Sequence, residues 1–109
     1  MACGDNINQW IASLLGSVFS GSDSSGRNIV AVFTRTPAVV ATVVDGIPLV
    51  GTWQFTSDYH LQWTAAVGGI SYLFNAAATT CDTTKVTAAG GDVQDSFHID
   101  YSLSLTRVL

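Results

Sequence analysis

The stretch "VVDGIPLVGTWQFTSDYHLQW" (residues 43–63) decides the fold, because it combines a tight-turn dipeptide with strict alternation of residue types. Asp45 and Gly46 stand between two apolar runs. Both central residues of a type I′ turn need positive φ, and this pair tolerates it. We therefore predict a β-hairpin in which residues 38–44 pair antiparallel with residues 47–56.

Apolar and polar side chains continue to alternate through the segments that follow the hairpin. One face carries Trp53, Phe55, Leu61, Trp63, Ile70, Tyr72, Phe74, Phe97, Ile99, Tyr101, Leu103 and Leu105. The opposite face carries Thr52, Gln54, Thr56, His60, Gln62, Thr64, Ser71, Asn75, His98, Asp100, Ser102, Ser104 and Thr106. A period of two over four segments predicts an antiparallel sheet with one dry and one wet face.

The N-terminal part has a different period. "DNINQWIASLLGSVFSG" places apolar residues at spacings of three and four behind a capping Asp5 or Asn6, which predicts an amphipathic helix over residues 6–19. Residues 21–28 read as a Gly/Ser-rich linker, 28–76 as an antiparallel meander, 77–95 as a long loop of small residues, and 96–108 as a C-terminal strand. The predicted class is α+β: a single domain over residues 1–109, with the helix packed on a strongly twisted antiparallel sheet or partial barrel of about six strands.

Composition excludes several classes of partner. The 109 residues carry a net charge of −4, from eight Asp, one Lys, three Arg and no Glu. Four cationic side chains are too few to neutralise a phosphate backbone, and we therefore expect no nucleic-acid partner. No apolar run reaches the roughly 20 residues of a membrane-spanning helix, so we expect a soluble chain with no membrane partner. Cys3 and Cys81 are either two thiols or one disulfide, and a secreted mature chain is compatible with the sequence, which does not identify a compartment.

A weak case for catalysis rests on three side chains. His98 and Asp100 are two residues apart on a predicted strand, and His60 falls on the same wet face, so a His/Asp pair could move protons or bind a metal. The competing interpretation is an ordinary solvated surface. No Gly-x-Ser-x-Gly, His-Glu-x-x-His or phosphate-loop motif occurs. We therefore expect no catalysis, no cofactor and no metal.

The residues Gly51-Thr52-Trp53 resemble the Gly-x-Trp of lipocalin and avidin-like barrels, and Arg107 is similar in position to the arginine that packs on that tryptophan in lipocalins. The resemblance covers only these residues. In those families the motif opens the first strand, whereas here two predicted strands precede it. The predicted helix followed by a meander also resembles the cystatin arrangement, but the Gln-x-Val-x-Gly loop is missing. Neither resemblance transfers a site.

The aromatic face favours a binding function. Trp53, Phe55, Trp63, Tyr72, Phe74 and Tyr101 either form a filled core or line a pocket between helix and sheet. Our first hypothesis is non-catalytic binding of a small, largely apolar or aromatic ligand in that pocket. The alternative is a structural or interaction protein that self-associates through sheet edges, or binds a protein or glycan through the Thr/Gln-rich face. A small enzyme comes third, and we expect a homo-oligomer because few charges protect the sheet edges.

Overall fold

The chain folds into a closed antiparallel barrel of eight strands in sequence order. The structure is a computed structural model that describes residues 14–34, 39–57, 60–82 and 85–109. The strands are β1 (Val18–Asp23), β2 (Asn28–Phe33), β3 (Val39–Val44), β4 (Ile47–Ser57), β5 (His60–Val67), β6 (Ile70–Asp82), β7 (Lys85–Gln94) and β8 (Asp100–Arg107). β8 pairs with β1 and closes the barrel, so each of these strands has two neighbours.

The hairpin that the sequence predicts is confirmed. Val44 pairs with Ile47, and Asp45 and Gly46 between them have φ values of 49° and 82°. These are the two positive φ angles that a type I′ turn requires. The turn matches the right-handed twist of the strands and fixes the register of β3 on β4.

Side chains that point into the barrel form one hydrophobic core. The alternation in β2, β3, β5 and β8 gives a buried residue at every second position of their central parts. The largest fully buried apolar side chains are Trp63, Phe19, Phe74, Ile29, Leu49, Leu105, Val40, Val86 and Val93. The predicted antiparallel sheet with a dry face is therefore confirmed, and the dry face is the inside of the barrel.

The α+β class with an N-terminal helix is wrong. The last part of the predicted helix is a short turn after Leu14, and the chain then enters β1 at Val18. Phe19 points into the core and pairs with Ala31 of β2 and Arg107 of β8. The spacing of apolar residues in this segment fits a helix and also partly fits a strand. Pairing of β1 with a strand on each side decides in favour of the strand. Residues 6–13 of the predicted helix lie outside the described residues.

Three further boundaries are wrong, and so is the strand count of about six. Residues 21–23 of the predicted linker belong to β1. Most of the predicted loop 77–95 is strand, because β6 extends to Asp82 and β7 occupies Lys85–Gln94. The C-terminal strand begins at Asp100, not at residue 96. Small residues have low β-propensity, but β7 is held between β6 and β8 and gains its order from these pairings.

Candidate functional site

Most of the aromatic face is packed inside the barrel. The Trp63 ring stacks on Phe74 with centroids 4.9 Å apart, and Phe33 meets Trp63 edge-on at 5.4 Å. The indole N–H of Trp63 donates a hydrogen bond of 3.2 Å to the buried Thr42 hydroxyl. Trp53 is also buried in the core. The side chain of Phe55 lies outside the described residues.

A small void lies in the interior beside this cluster. It measures about 20 Å³, and its lining residues include Leu14, Phe33, Trp63 and Val86. A space of this size holds about one water, whereas ligand pockets measure hundreds of cubic ångströms. The aromatic core around Trp63 is therefore filled.

Two of the predicted ligand-binding residues lie elsewhere, at one end of the barrel. We call this end the barrel mouth; it carries the β1–β2, β3–β4, β5–β6 and β7–β8 connections. Tyr72 and Tyr101 are half-buried there. Around them stand exposed apolar side chains that we call the apolar rim: Ile47, Val67, Ile70, Phe97 and Ile99. Phe97 is 82% exposed and Ile99 is 51% exposed. Ile70 and Phe97 line one depression at this end, and exposed apolar side chains that lie together are typical of binding sites.

Arg27 sits between the two tyrosines and closes the mouth. Its Cζ lies 4.5 Å from the centroid of the Tyr101 ring and 5.0 Å from that of Tyr72, a cation–π arrangement. Its Nε donates to Asp23 Oδ2 at 2.7 Å, and its Nη1 donates to the Tyr72 hydroxyl at 3.4 Å. Nη2 is buried and has no hydrogen-bond partner among the described residues. The charge of Arg27 is thus paired with Asp23 through Nε, and the donors of Nη2 are not used by the described residues.

Asp23 holds the Arg27 side chain in this position. Its side chain is 0% exposed and accepts hydrogen bonds from the Ser25 hydroxyl, the backbone N–H groups of Ser25 and Arg27, and the Arg27 guanidinium. Burial opposes ionisation, but these hydrogen bonds outweigh it and hold the pKa of Asp23 below its usual value. The same contact with Asp23 outweighs burial and raises the pKa of Arg27. The ion pair therefore stays charged at neutral pH.

The β7–β8 loop, residues 95–99, presents Phe97 to solvent and is fixed by hydrogen bonds. Asp95 Oδ1 accepts the backbone N–H groups of Phe97 at 2.9 Å and Ile99 at 3.0 Å. The Ser96 hydroxyl accepts from Ser71 N–H and donates to Ser71 C=O, which ties the loop to the start of β6. The Ile99 and Phe97 N–H groups hold the pKa of Asp95 below its usual value, so Asp95 is ionised at neutral pH.

The loop and the β5–β6 turn enclose an open depression of about 250 Å³, which we call the mouth depression. It is lined by Arg27, Gly69, Ile70, Tyr72, Asp95, Ser96 and Phe97. Its walls combine aromatic and aliphatic surface with one carboxylate. It can hold a molecule of one or two rings with one polar group.

The structure does not bring the predicted catalytic residues together. His60 opens β5 at the end opposite the mouth, where it pairs with Ala77. His98 lies in the β7–β8 loop at the mouth, separated from His60 by the length of β5, roughly 20 Å. His98 has a φ of 62° and is not in the strand that Asp100 begins, so the argument that the two share a strand face is wrong. The described residues contain no group of three or more potential metal ligands.

The wet face carries a row of amides on the outside of the barrel. Gln54 donates to Gln62 at 3.1 Å, and Gln62 donates to Asn75 at 3.0 Å, across β4, β5 and β6. These amides belong to the Thr/Gln-rich face, through which the sequence allowed binding of a protein or glycan. Part of their hydrogen-bonding capacity is used within the row, and Asp100 lies apart from it at the start of β8.

Sequence reasoning did not identify Arg27, Ile70, Asp95 and Phe97 as neighbours in one site. Arg27 fell in a predicted linker, and Phe97 was assigned to the interior of a strand. One signal was present: Asp95-Ser96 is a turn-forming pair that could have ended β7 before Phe97. The contact of Arg27 with Tyr72 and Tyr101 spans distant positions and has no local signal.

Comparison with known proteins finds no family model, no curated protein and no solved structure that matches this chain. Arg107, which the lipocalin resemblance singled out, lies over the Phe19 ring with its Cζ 6.0 Å from the centroid. Trp53 lies on the fourth strand of the barrel, not the first. Among the described residues, no helix is long and apolar enough to cross a membrane.

Proposed function

We propose that this protein binds a small, largely apolar or aromatic ligand without catalysing a reaction, and that the ligand lies in the mouth depression. The observation that carries the proposal is Phe97: its ring is 82% exposed on a loop that several hydrogen bonds hold in place. Exposed aromatic rings on rigid supports are typical of binding sites, since little side-chain and loop freedom is lost when the ligand binds.

The position of the ligand differs from that expected from the sequence. The barrel interior leaves a cavity of about 20 Å³, and the mouth depression offers about 250 Å³. Tyr72 lines the depression, and Ile70 and Phe97 flank it. A flat ring placed between Ile70 and Phe97 would cover apolar surface on both of its faces. The contribution would be about 25 cal/mol for each Å² of apolar surface removed from water.

The test is a titration of the 15N-labelled protein with 2-naphthylmethanol, a neutral two-ring probe, followed by NMR. We expect shifts concentrated at residues 69–72 and 95–99. Phe97→Ser should weaken binding about 10-fold or more, because the loss of a half-covered aromatic ring costs roughly 1.5 kcal/mol. Val108→Ser is the matched control: Val108 is 61% exposed at the opposite end of the barrel, and its replacement should leave the affinity unchanged. Equal effects of the two variants, or shifts at the barrel interior, would contradict the proposal.

A second candidate is self-association or protein binding through the whole apolar rim. Ile47 and Val67 are exposed beyond the mouth depression, so the rim is wider than a small ligand needs. The closed barrel has no free edge among its described strands, and self-association would therefore use this rim rather than an edge. Light scattering at tens of micromolar tests it: a dimer that Phe97→Ser dissociates would favour this candidate, and a monomer would count against self-association.

A further inference from the structure

We infer that the ligand of the mouth depression carries a positive charge, so that the site takes a small aromatic amine in preference to an aromatic acid. This inference rests on the proposed function, since it concerns the same depression. Three features of the mouth carry it: the balance of charged side chains, the prior engagement of Arg27, and the position of Asp95.

The balance of charge at the mouth is negative. Asp23 and Asp95 contact the residues of the depression directly. Asp45 accepts the backbone N–H of Asn28, the residue after Arg27, and Asp100 pairs with Gln94, the residue before Asp95. Against these carboxylates, Arg27 carries the only guanidinium or ammonium group that the described residues place at this end. An excess of one sign of charge around a cleft raises the local concentration of ligands of the opposite sign.

Arg27 is a poor partner for an incoming anion. Its Nε is bonded to the buried carboxylate of Asp23, its Cζ lies 5.0 Å from the centroid of the Tyr72 ring and 4.5 Å from that of Tyr101, and its Nη2 is buried. The N–H groups of Nη2 have no partner among the described residues, but because they are buried, a ligand carboxylate in the open depression could reach them only if the surrounding side chains moved. The paired guanidinium therefore contributes apolar and planar surface to the site more than attraction for an anion.

Asp95 is placed to receive a cation. It lines the mouth depression beside Phe97, and both hydrogen bonds from the loop backbone go to its Oδ1. Among the described residues, Oδ2 accepts a hydrogen bond from the Tyr101 hydroxyl alone, at 3.3 Å, and keeps capacity for another donor. The carboxylate is held by the loop it organises, so it does not need to reorient when a ligand ammonium group approaches. An aromatic amine can thus place its ring against Phe97 and its ammonium group against Oδ2.

Three probes that share one ring system test the inference by calorimetry at pH 7 and low salt: 2-naphthylmethylammonium, 2-naphthylmethanol and 2-naphthoate. We expect the ammonium probe to bind about 5-fold more tightly than the alcohol, since one charge pair near 4 Å in a hydrated site is worth roughly that factor. We expect the carboxylate probe to bind more weakly than the alcohol. Added salt should reduce the advantage of the ammonium probe.

Asp95→Asn should abolish the preference for the ammonium probe and keep binding of the alcohol, because the amide oxygen can still accept the loop N–H groups. Asp92→Asn is the matched control: Asp92 is an exposed carboxylate on β7, and its replacement changes net charge equally but should keep the preference. If Asp95→Asn fails to fold, the wild-type protein still tests the charge preference, because the three probes differ only in their polar group and added salt should bring the ammonium probe towards the alcohol.

The outcomes separate the two proposals. Equal binding of the ammonium and alcohol probes, or tightest binding of 2-naphthoate, overturns the charge preference and leaves the proposed function intact. Binding of none of the three probes overturns the proposed function and this inference with it. Loss of the preference in Asp92→Asn as well as in Asp95→Asn would mean that net charge rather than Asp95 sets it, and would overturn the assigned position of the ammonium group.

Discussion

Replacement of Trp63 by alanine tests whether the aromatic face is a filled core. Trp63 is 1% exposed, stacks on Phe74 and meets the edge of Phe33. Removal of a buried tryptophan costs about 3–5 kcal/mol through lost transfer energy and the cavity left behind. It also leaves the buried Thr42 hydroxyl without its donor, which adds roughly 1 kcal/mol. We therefore expect Trp63→Ala to lower the free energy of unfolding by about 4–6 kcal/mol.

A loss of this size approaches the whole stability of a small domain, which is typically about 5–15 kcal/mol. Milder variants keep the test quantitative. Trp63→Phe retains a ring beside Phe74 and loses the N–H donor, and Thr42→Val removes the acceptor. Each should cost about 1–3 kcal/mol, and the double variant should cost about 1 kcal/mol less than the sum, because neither partner is then left unsatisfied.

The assay is urea unfolding followed by far-ultraviolet circular dichroism. Unchanged slopes with lower midpoints would show that stability, rather than the compactness of either state, has changed. If Trp63→Ala cost less than about 1 kcal/mol, Trp63 would behave as the wall of an open pocket, and the packing argument would be refuted. If the costs of Trp63→Phe and Thr42→Val were simply additive, the hydrogen bond between the two side chains would be absent in solution.

Three further predictions concern the barrel itself. Gly91→Ala should destabilise the protein by about 1–3 kcal/mol, because a Cβ there would collide with the Asn75 carbonyl oxygen. Gly69→Ala has open space around the new Cβ and should change stability by about 0.5 kcal/mol or less. Equal urea midpoints for the two variants would contradict the register of β7 on β6. Gly46→Val should cost about 1–2 kcal/mol, since its φ of 82° strains a β-branched residue, and an unchanged melting temperature would place the turn elsewhere. Because the pKa of Asp23 is lowered in the folded state, its contribution to stability is fully present above the unfolded value of about 3.9 and is lost as the pH falls through the folded value; the difference in free energy of unfolding between the wild type and Asp23→Asn should therefore shrink below about pH 4, and a difference as large at pH 2 as at pH 6 would contradict the ion pair.

The sequence predicts those parts of the barrel in which local chemistry and tertiary pairing agree. Asp45-Gly46 forms the predicted turn, and the alternation around Trp63 places the predicted side chains inside. β1 and β7 could not be predicted in the same way. β1 is short and follows an apolar stretch with helical spacing, and β7 contains small residues and two adjacent glycines. β1 is ordered by pairing with β2 and with β8 at the other end of the chain, and β7 is ordered by pairing with β6 and β8 on its two sides. The residue pattern within either strand does not report these pairings.

The β7 glycines show how the pairing of neighbouring strands takes effect. Gly91 lies so close to the Asn75 carbonyl that no side chain fits, and β6 and β7 approach each other there because of the small residue. From the sequence alone, Gly90-Gly91 indicated a loop, since glycine weakens strands. In the barrel the same residue permits a close contact between strands. The meaning of such a glycine depends on what stands opposite it, which only the register supplies.

Periodicity gives the face of a strand that a residue occupies, but not its depth in the barrel. Tyr72 and Phe74 share a face of β6, yet Phe74 stacks on Trp63 in the core and Tyr72 covers Arg27 at the mouth. Depth is set by where the turns end the barrel, and the β7–β8 loop continues through Ile99, so that the C-terminal strand begins at Asp100 rather than at residue 96. That difference moves Phe97 and Ile99 from the expected core into the apolar rim. Substitutions at Trp63 therefore test the fold, and substitutions at Phe97 and Asp95 test the proposed binding site.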